Sequence, residues 1–146
     1  MSDPLLVLAT FVVSLVGGFV PLVNVEVYLV GVAAAVPHAG LVPIVLAASL
    51  GQIAAKCVLY GAGIGALRVS PGRSRALAAG IARLRTAHSG GRALVFASAL
   101  FGLPPFYVMS VAAGALRLGL PAFVALGLTG RMLRFTAIFL APRLLM

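Results

Sequence analysis

The chain has 146 residues, 62% hydrophobic and only 9% charged, with eleven basic residues against two acidic ones and a net charge of +9. That is the length of one domain with too few polar residues to cover a soluble surface, which implies an all-α integral membrane protein. A basic excess can also mean nucleic acid, but six arginines (Arg68, Arg73, Arg75, Arg83, Arg85, Arg92) fall in one stretch between apolar blocks, and that clustering argues for a cytoplasmic loop and against a nucleic-acid partner.

The first apolar block runs from Pro4 to Val36, with a break at "GGFVP", Gly17 to Pro21. Its start has no basic n-region, so it reads as an uncleaved first membrane segment. Two tilted spans, or a hairpin that folds back around Pro21, both satisfy its length. Beyond the break lies Glu26, the only glutamate in the chain. Asn24 is placed to cap the helix that follows, leaving Glu26 in the first turn at the positive end of the helix dipole. Ionisable groups inside membranes are otherwise functional by default.

The second block, Leu41 to Leu67, is long enough to cross a hydrocarbon core of about 30 Å. Ser49, Gln52, Lys56 and Tyr60 form a polar stripe along it, which reads either as an interhelical seam or as part of a pathway. Gly61-x-x-x-Gly65 just beyond reads as close-packing small residues. Next comes the basic segment, about 68–92. In it Leu77, Ile81 and Leu84 recur at helical spacing, as expected of an amphipathic helix lying on the cytoplasmic face.

The third region, about 93–143, is broken at Pro104 and Pro105 and again near Gly119. Ala93 to Leu103 as a helix covers about 16 Å, too short to span. Two short arms around a Pro-Pro break read as a re-entrant hairpin, with Arg92 and Arg117 on one side. Such a break at membrane depth needs protein or a polar cavity around it. A spanning helix follows, carrying Arg131 and Arg134 three residues apart on one face.

The halves resemble each other. A shift of 79 positions pairs Tyr28 with Tyr107, Val32–Ala34 with Val111–Ala113, Gly40-Leu41 with Gly119-Leu120, Val45 with Val124 and Gly51 with Gly130. With the basic stretch cytoplasmic, the two spanning helices run in opposite directions. The expected fold is two inverted repeats, about 4–67 and 93–143, each a re-entrant or broken helical hairpin plus a spanning helix, in a single membrane domain.

"PLVNVEVYLVGVA", "GQIAAKCVLYGAGIG" and "LPPFYVMSVAAGALRLGLPAFVALGLTGRMLRF" resemble the DedA family of membrane proteins (the SNARE-associated, or VTT, domain), and within it the short YqaA-like branch. The resemblance implies opposed re-entrant hairpins in the cell membrane. It also implies movement of polyprenyl-phosphate carriers or phospholipids across the bilayer, often linked to proton motive force. Glu26 matches the family glutamate of the first hairpin, and Arg131 and Arg134 match basic positions of the last helix. The second hairpin, "ALFGLPPFY", departs from the pattern by having neither acid nor arginine.

Glu26 is the one intramembrane acid set against Lys56, Arg131 and Arg134. Buried charge without a partner is costly, and arginine donors match phosphate oxygens. An anionic substrate is therefore expected, and the family resemblance implies that it is a lipid, with Arg131, Arg134, Lys56, Gln52 and Tyr60 as binding candidates. Glu26 is its counter-ion or proton acceptor, and Pro21, Asn24, Pro104 and Pro105 shape the hairpins. The alternatives are a small-solute or ion transporter on the same scaffold and a non-transporting membrane interaction protein. No catalytic constellation is visible, His38 and His88 have no partners at metal-ligand spacing, and no cofactor is expected. Cys57 is the only cysteine, so no internal disulfide can form. A homo-oligomer is an expectation for so small a chain.

Overall fold

The computed structural model describes residues 3–20, 22–69, 91–102, 106–115 and 119–145. Among them every regular element is an α-helix: α1 (Pro4–Phe19), α2 (Val25–Ala35), α3 (Leu41–Val69), α4 (Gly91–Phe101), α5 (Phe106–Ala115) and α6 (Leu120–Leu145). The basic segment from residue 70 to 90 lies outside the described residues, as do Pro21, Pro104, Pro105 and Arg117. The expectations placed on those positions fall there with them.

Helix ends follow local chemistry. Asp3 caps α1, its side chain accepting from Leu5 N at 2.9 Å, and Pro4 occupies the first turn, where no N–H is needed. Asn24 caps α2 as expected, accepting from Glu26 N at 3.0 Å and Val27 N at 3.3 Å. α2 stops just before Val36-Pro37, where the residue ahead of proline is pushed out of the helical region. α4 ends on Gly102, whose φ of 77° is left-handed and whose N–H bonds Ser98 O at 2.9 Å. Only glycine adopts that conformation without strain.

Two helices, α3 and α6, are long and apolar enough to cross a membrane, with mean hydropathies of 1.8 and 1.5. The other four are too short to cross alone. At 1.5 Å per residue, α1 reaches about 24 Å and α2, α4 and α5 about 15–17 Å, against a core of about 30 Å.

The chain divides into two compact units. The first comprises Met1–Ala55 with Arg131–Met146, the second Lys56–Gly130. The first unit thus holds α1, α2, the opening half of α3 and the closing half of α6. Its core is formed by Val25, Leu29, Val32 and Ala33 of α2, by Ile44, Val45 and Ala48 of α3, and by Phe135 and Phe139 of α6. The second unit holds the closing half of α3, α4, α5 and the opening half of α6. Phe123 of α6 is its centre, 5.3 Å from the Tyr60 ring of α3 and 5.9 Å from that of Phe106 on α5.

The two long helices share part of their burial pattern. Shifted by 79, Ile44, Ala48, Gly51 and Tyr60 fall on Phe123, Gly127, Gly130 and Phe139, and all eight are buried. Leu46, Leu50 and Val58 fall on Ala125, Thr129 and Ala137, and all six are exposed. Both long helices open in the same way, Ile44 N bonding Gly40 O and Phe123 N bonding Gly119 O.

A second correspondence had no counterpart in the ungapped alignment. A Cβ on Gly51 would meet Phe11 O, Ser14 Cβ and Leu15 N of α1 at 2.5–3.0 Å. One on Gly130 would meet Phe96 O, Ala99 Cβ and Leu100 N of α4 at 2.8–3.2 Å. Each glycine lets its long helix lie against the i, i+3, i+4 surface of the arm helix in its own unit. These arms align at a shift of 85, which sets "FVVSLVG" (Phe11–Gly17) on "FASALFG" (Phe96–Gly102).

Among the described residues, nothing lies within 4 Å of a Cβ placed on Gly61 or Gly65. Close approach falls to Gly51, Gly130, Gly18 against Ala55, and Gly114 against the Tyr60 carbonyl.

Candidate functional site

The site lies in the first unit, where α2 packs against the closing half of α6. The α2 residues Val25, Leu29, Val32 and Ala33 recur at helical spacing and are buried against Phe135 and Phe139. With that face fixed, the first turn of α2 carries Glu26 beside the α6 residue one position before Phe135. Arg134 Nε donates to Glu26 Oε1 at 2.5 Å, and Arg134 Nη2 reaches the same oxygen at 2.5 Å. The side chains are 24% and 34% exposed, respectively. Asn24 meanwhile satisfies the backbone N–H groups of the first turn, so Glu26 is released from capping and its carboxylate is directed to Arg134.

Arg131 completes the group. It sits one turn earlier on α6, half-buried, with its guanidinium 5.7 Å from the centroid of the Phe135 ring. Both Glu26 and Arg134 lie within its electrostatic reach. Two arginines in the interior of α6 thus face the one carboxylate in the first turn of α2. Arginine suits the position because its planar fork can hold a carboxylate and stack on a ring with the same group.

The remaining candidates divide differently. Gln52 is buried and its Nε2 donates to Ser14 O at 3.3 Å, tying α3 to α1 beside Gly51. Ser49, one turn before it, is fully buried, and the Ser14 and Ser49 hydroxyls have no hydrogen-bond partner among the described residues. In the first unit the stripe is therefore an interhelical seam. Lys56 and Tyr60 belong to the second unit, where both are buried and the Tyr60 ring packs at a tilt against Phe123. Lys56, Arg131 and Arg134 all make further polar or electrostatic contacts within the protein.

Sequence reasoning passed over two features. Thr10, fully buried, donates to Leu6 O at 2.8 Å and so accepts from the Tyr28 hydroxyl at 3.1 Å, joining α1 to α2. Arg143, in the last turn of α6, donates from Nη2 to Val36 O at 3.2 Å and to Ala39 O at 3.0 Å. Its position four residues after Phe139 was the available signal, because it places the guanidinium over the Phe139 ring, 4.3 Å from the centroid.

Compared with family models, with curated proteins and with solved structures, the chain finds no match in any of the three.

Proposed function

We propose that this chain is a membrane lipid transporter or scramblase of the DedA type, moving an anionic, phosphate-bearing lipid across the cell membrane. The observation that carries the reading is the Glu26–Arg134 pair. The only glutamate in the chain meets an arginine in the interior of a helix long and apolar enough to cross a bilayer. Ionisable groups at such depth are expensive and tend to mark transport pathways. A lipid phosphate offers Arg134 and Arg131 the oxygens that Glu26 otherwise supplies. Glu26 is then the resting counter-ion, released when phosphate binds and available to take a proton.

The make-up of the two units supports the architecture this function needs. In each, a pair of short helices packs with the opening half of one long helix and the closing half of the other. Inverted repeats with re-entrant hairpins would generate that exchange of halves. In this reading α1–α2 and α4–α5 are the hairpins, α3 and α6 span the membrane, and the basic segment lies on the cytoplasmic side. Kinship with the DedA family rests on the sequence motifs alone.

The test is headgroup translocation in proteoliposomes, with and without a pH gradient. Parallel arms offer a polyprenyl phosphate, a phospholipid and soluble inorganic phosphate. Movement of a phosphate-bearing lipid is the expected result. Uptake of soluble phosphate without lipid movement would favour a small-anion transporter, and movement of neither would reject transport.

A further inference from the structure

We propose that Arg143 is a positioning residue for the Glu26–Arg134 pair. It ties the C-terminal end of α2 to the end of α6, and so sets the register in which Glu26 meets Arg134. The functional consequence rests on the transport reading above, whereas the positioning claim rests on geometry alone.

Two ties join the same two helices. At one end of α2 Glu26 takes donors from Arg134, and at the other Val36 O and Ala39 O accept from Arg143 Nη2. Val36, the C-cap of α2, is ten residues after Glu26, and Arg143 is nine after Arg134, about 15 Å and about 14 Å of rise at 1.5 Å per residue. So α2 and the closing half of α6 run in the same direction and are fastened at both ends.

Between the ties the contacts are apolar, through Leu29, Val32, Ala33, Phe135 and Phe139. Apolar burial is non-directional and tolerates small slides of one helix along another. Hydrogen bonds do not: a one-residue slip is about 1.5 Å, enough to part a carboxylate from its guanidinium. The directional contact at the far end is Arg143.

The ties also differ in kind. Arg143 binds the backbone carbonyls of Val36, the C-cap of α2, and Ala39 just beyond it, a favourable place for a cation; Val36 O also accepts from Ala39 N at 3.0 Å. Those acceptors keep the same charge in every state of the protein. Glu26 can lose Arg134 to a competing anion. The far tie therefore holds while the near one opens, and it returns Glu26 to the same arginine afterwards.

A double-mutant cycle tests this without measuring transport. Thermal unfolding in detergent is recorded for the wild type, R143A, E26Q and the double variant. Glu26 and the Arg143 acceptor Val36 are separated by about 15 Å of helical rise, and substitutions acting so far apart normally add. If Arg143 sets the register, E26Q shifts the midpoint in the R143A background by at most about half of its shift in the wild type. Additive shifts would overturn the proposal. Should R143A not fold, R143Q takes its place in the same cycle with the same reading. Headgroup translocation is measured in parallel on the variants and the wild type. Non-additive stability with an inactive wild type would sink the transport reading and leave the positioning role standing. Additive stability with an active wild type would do the reverse.

Discussion

Glu26 and Arg134 are 108 residues apart in the chain, yet two Arg134 nitrogens meet one oxygen of the Glu26 carboxylate at 2.5 Å. Nothing local brings them together. The buried stripe of α2 and the two phenylalanines of α6 fix the relative rotation of the helices, and the charges meet as a consequence. Exposed ion pairs in water contribute about 0–1 kcal/mol. This pair is partly exposed, 24% at Arg134 and 34% at Glu26, and variants at Arg134 test what the arginine does besides holding the carboxylate.

Arg134→Lys separates charge from geometry. Lysine keeps the positive charge and loses the planar fork that places two donors on one acceptor. We expect a folded protein with a lower unfolding midpoint, by the equivalent of about 1 kcal/mol for the lost bond, and with impaired translocation. A lysine variant equal to the wild type in both would mean that only the charge matters.

Glu26→Gln preserves shape and one acceptor while removing the group that can take a proton. We expect it to flatten any pH dependence of translocation before it abolishes headgroup binding. Translocation rates measured across a range of imposed pH gradients provide the check. An unchanged pH profile in the Gln variant would remove Glu26 from any proton-linked role.

The close-packing glycines make opposite predictions for one substitution. At Gly51 and Gly130 a new methyl group would meet backbone of α1 or α4 at 2.5–3.2 Å. At Gly61 and Gly65 it would meet nothing among the described residues. Alanine should therefore lower the unfolding midpoint at the first pair. At the second it should raise stability by about 0.5–1 kcal/mol each through helix propensity. Four single variants and one melting series decide it.

Gly102→Ala places a β-carbon on a residue at φ 77° and should cost about 1 kcal/mol or more. Gly102→Asn, better tolerated in the left-handed region, should recover part of the loss. Equal melting of both variants with the wild type would show that α4 can end another way.

The elements of this fold were legible because proline, glycine and caps mark them. Asp3-Pro4, Asn24, Val36-Pro37, Gly40 and Gly119 all stand at helix boundaries. The internal likeness was only half legible. The long helices align at a shift of 79 and the first arms at 85, so no single ungapped comparison displays both. The Glu26–Arg134 contact was anticipated from charge scarcity, one acid facing few cations. Gln52 was harder to place, because a polar residue in an apolar helix looks the same whether it binds substrate or Ser14 O. Arg143 was missed because its acceptors are backbone carbonyls, which leave no mark in a sequence.

The central claim is that Arg134 passes from Glu26 to a lipid phosphate during transport. The most direct measurement is phosphate-lipid translocation by Arg134→Gln in proteoliposomes, alongside the wild type and a thermal melt of both. A hydrogen bond to a charged group is worth about 1.5–3 kcal/mol, so the variant should remain folded and lose about ten- to a hundredfold in rate. A folded Arg134→Gln protein that moves the lipid at the wild-type rate would contradict the account.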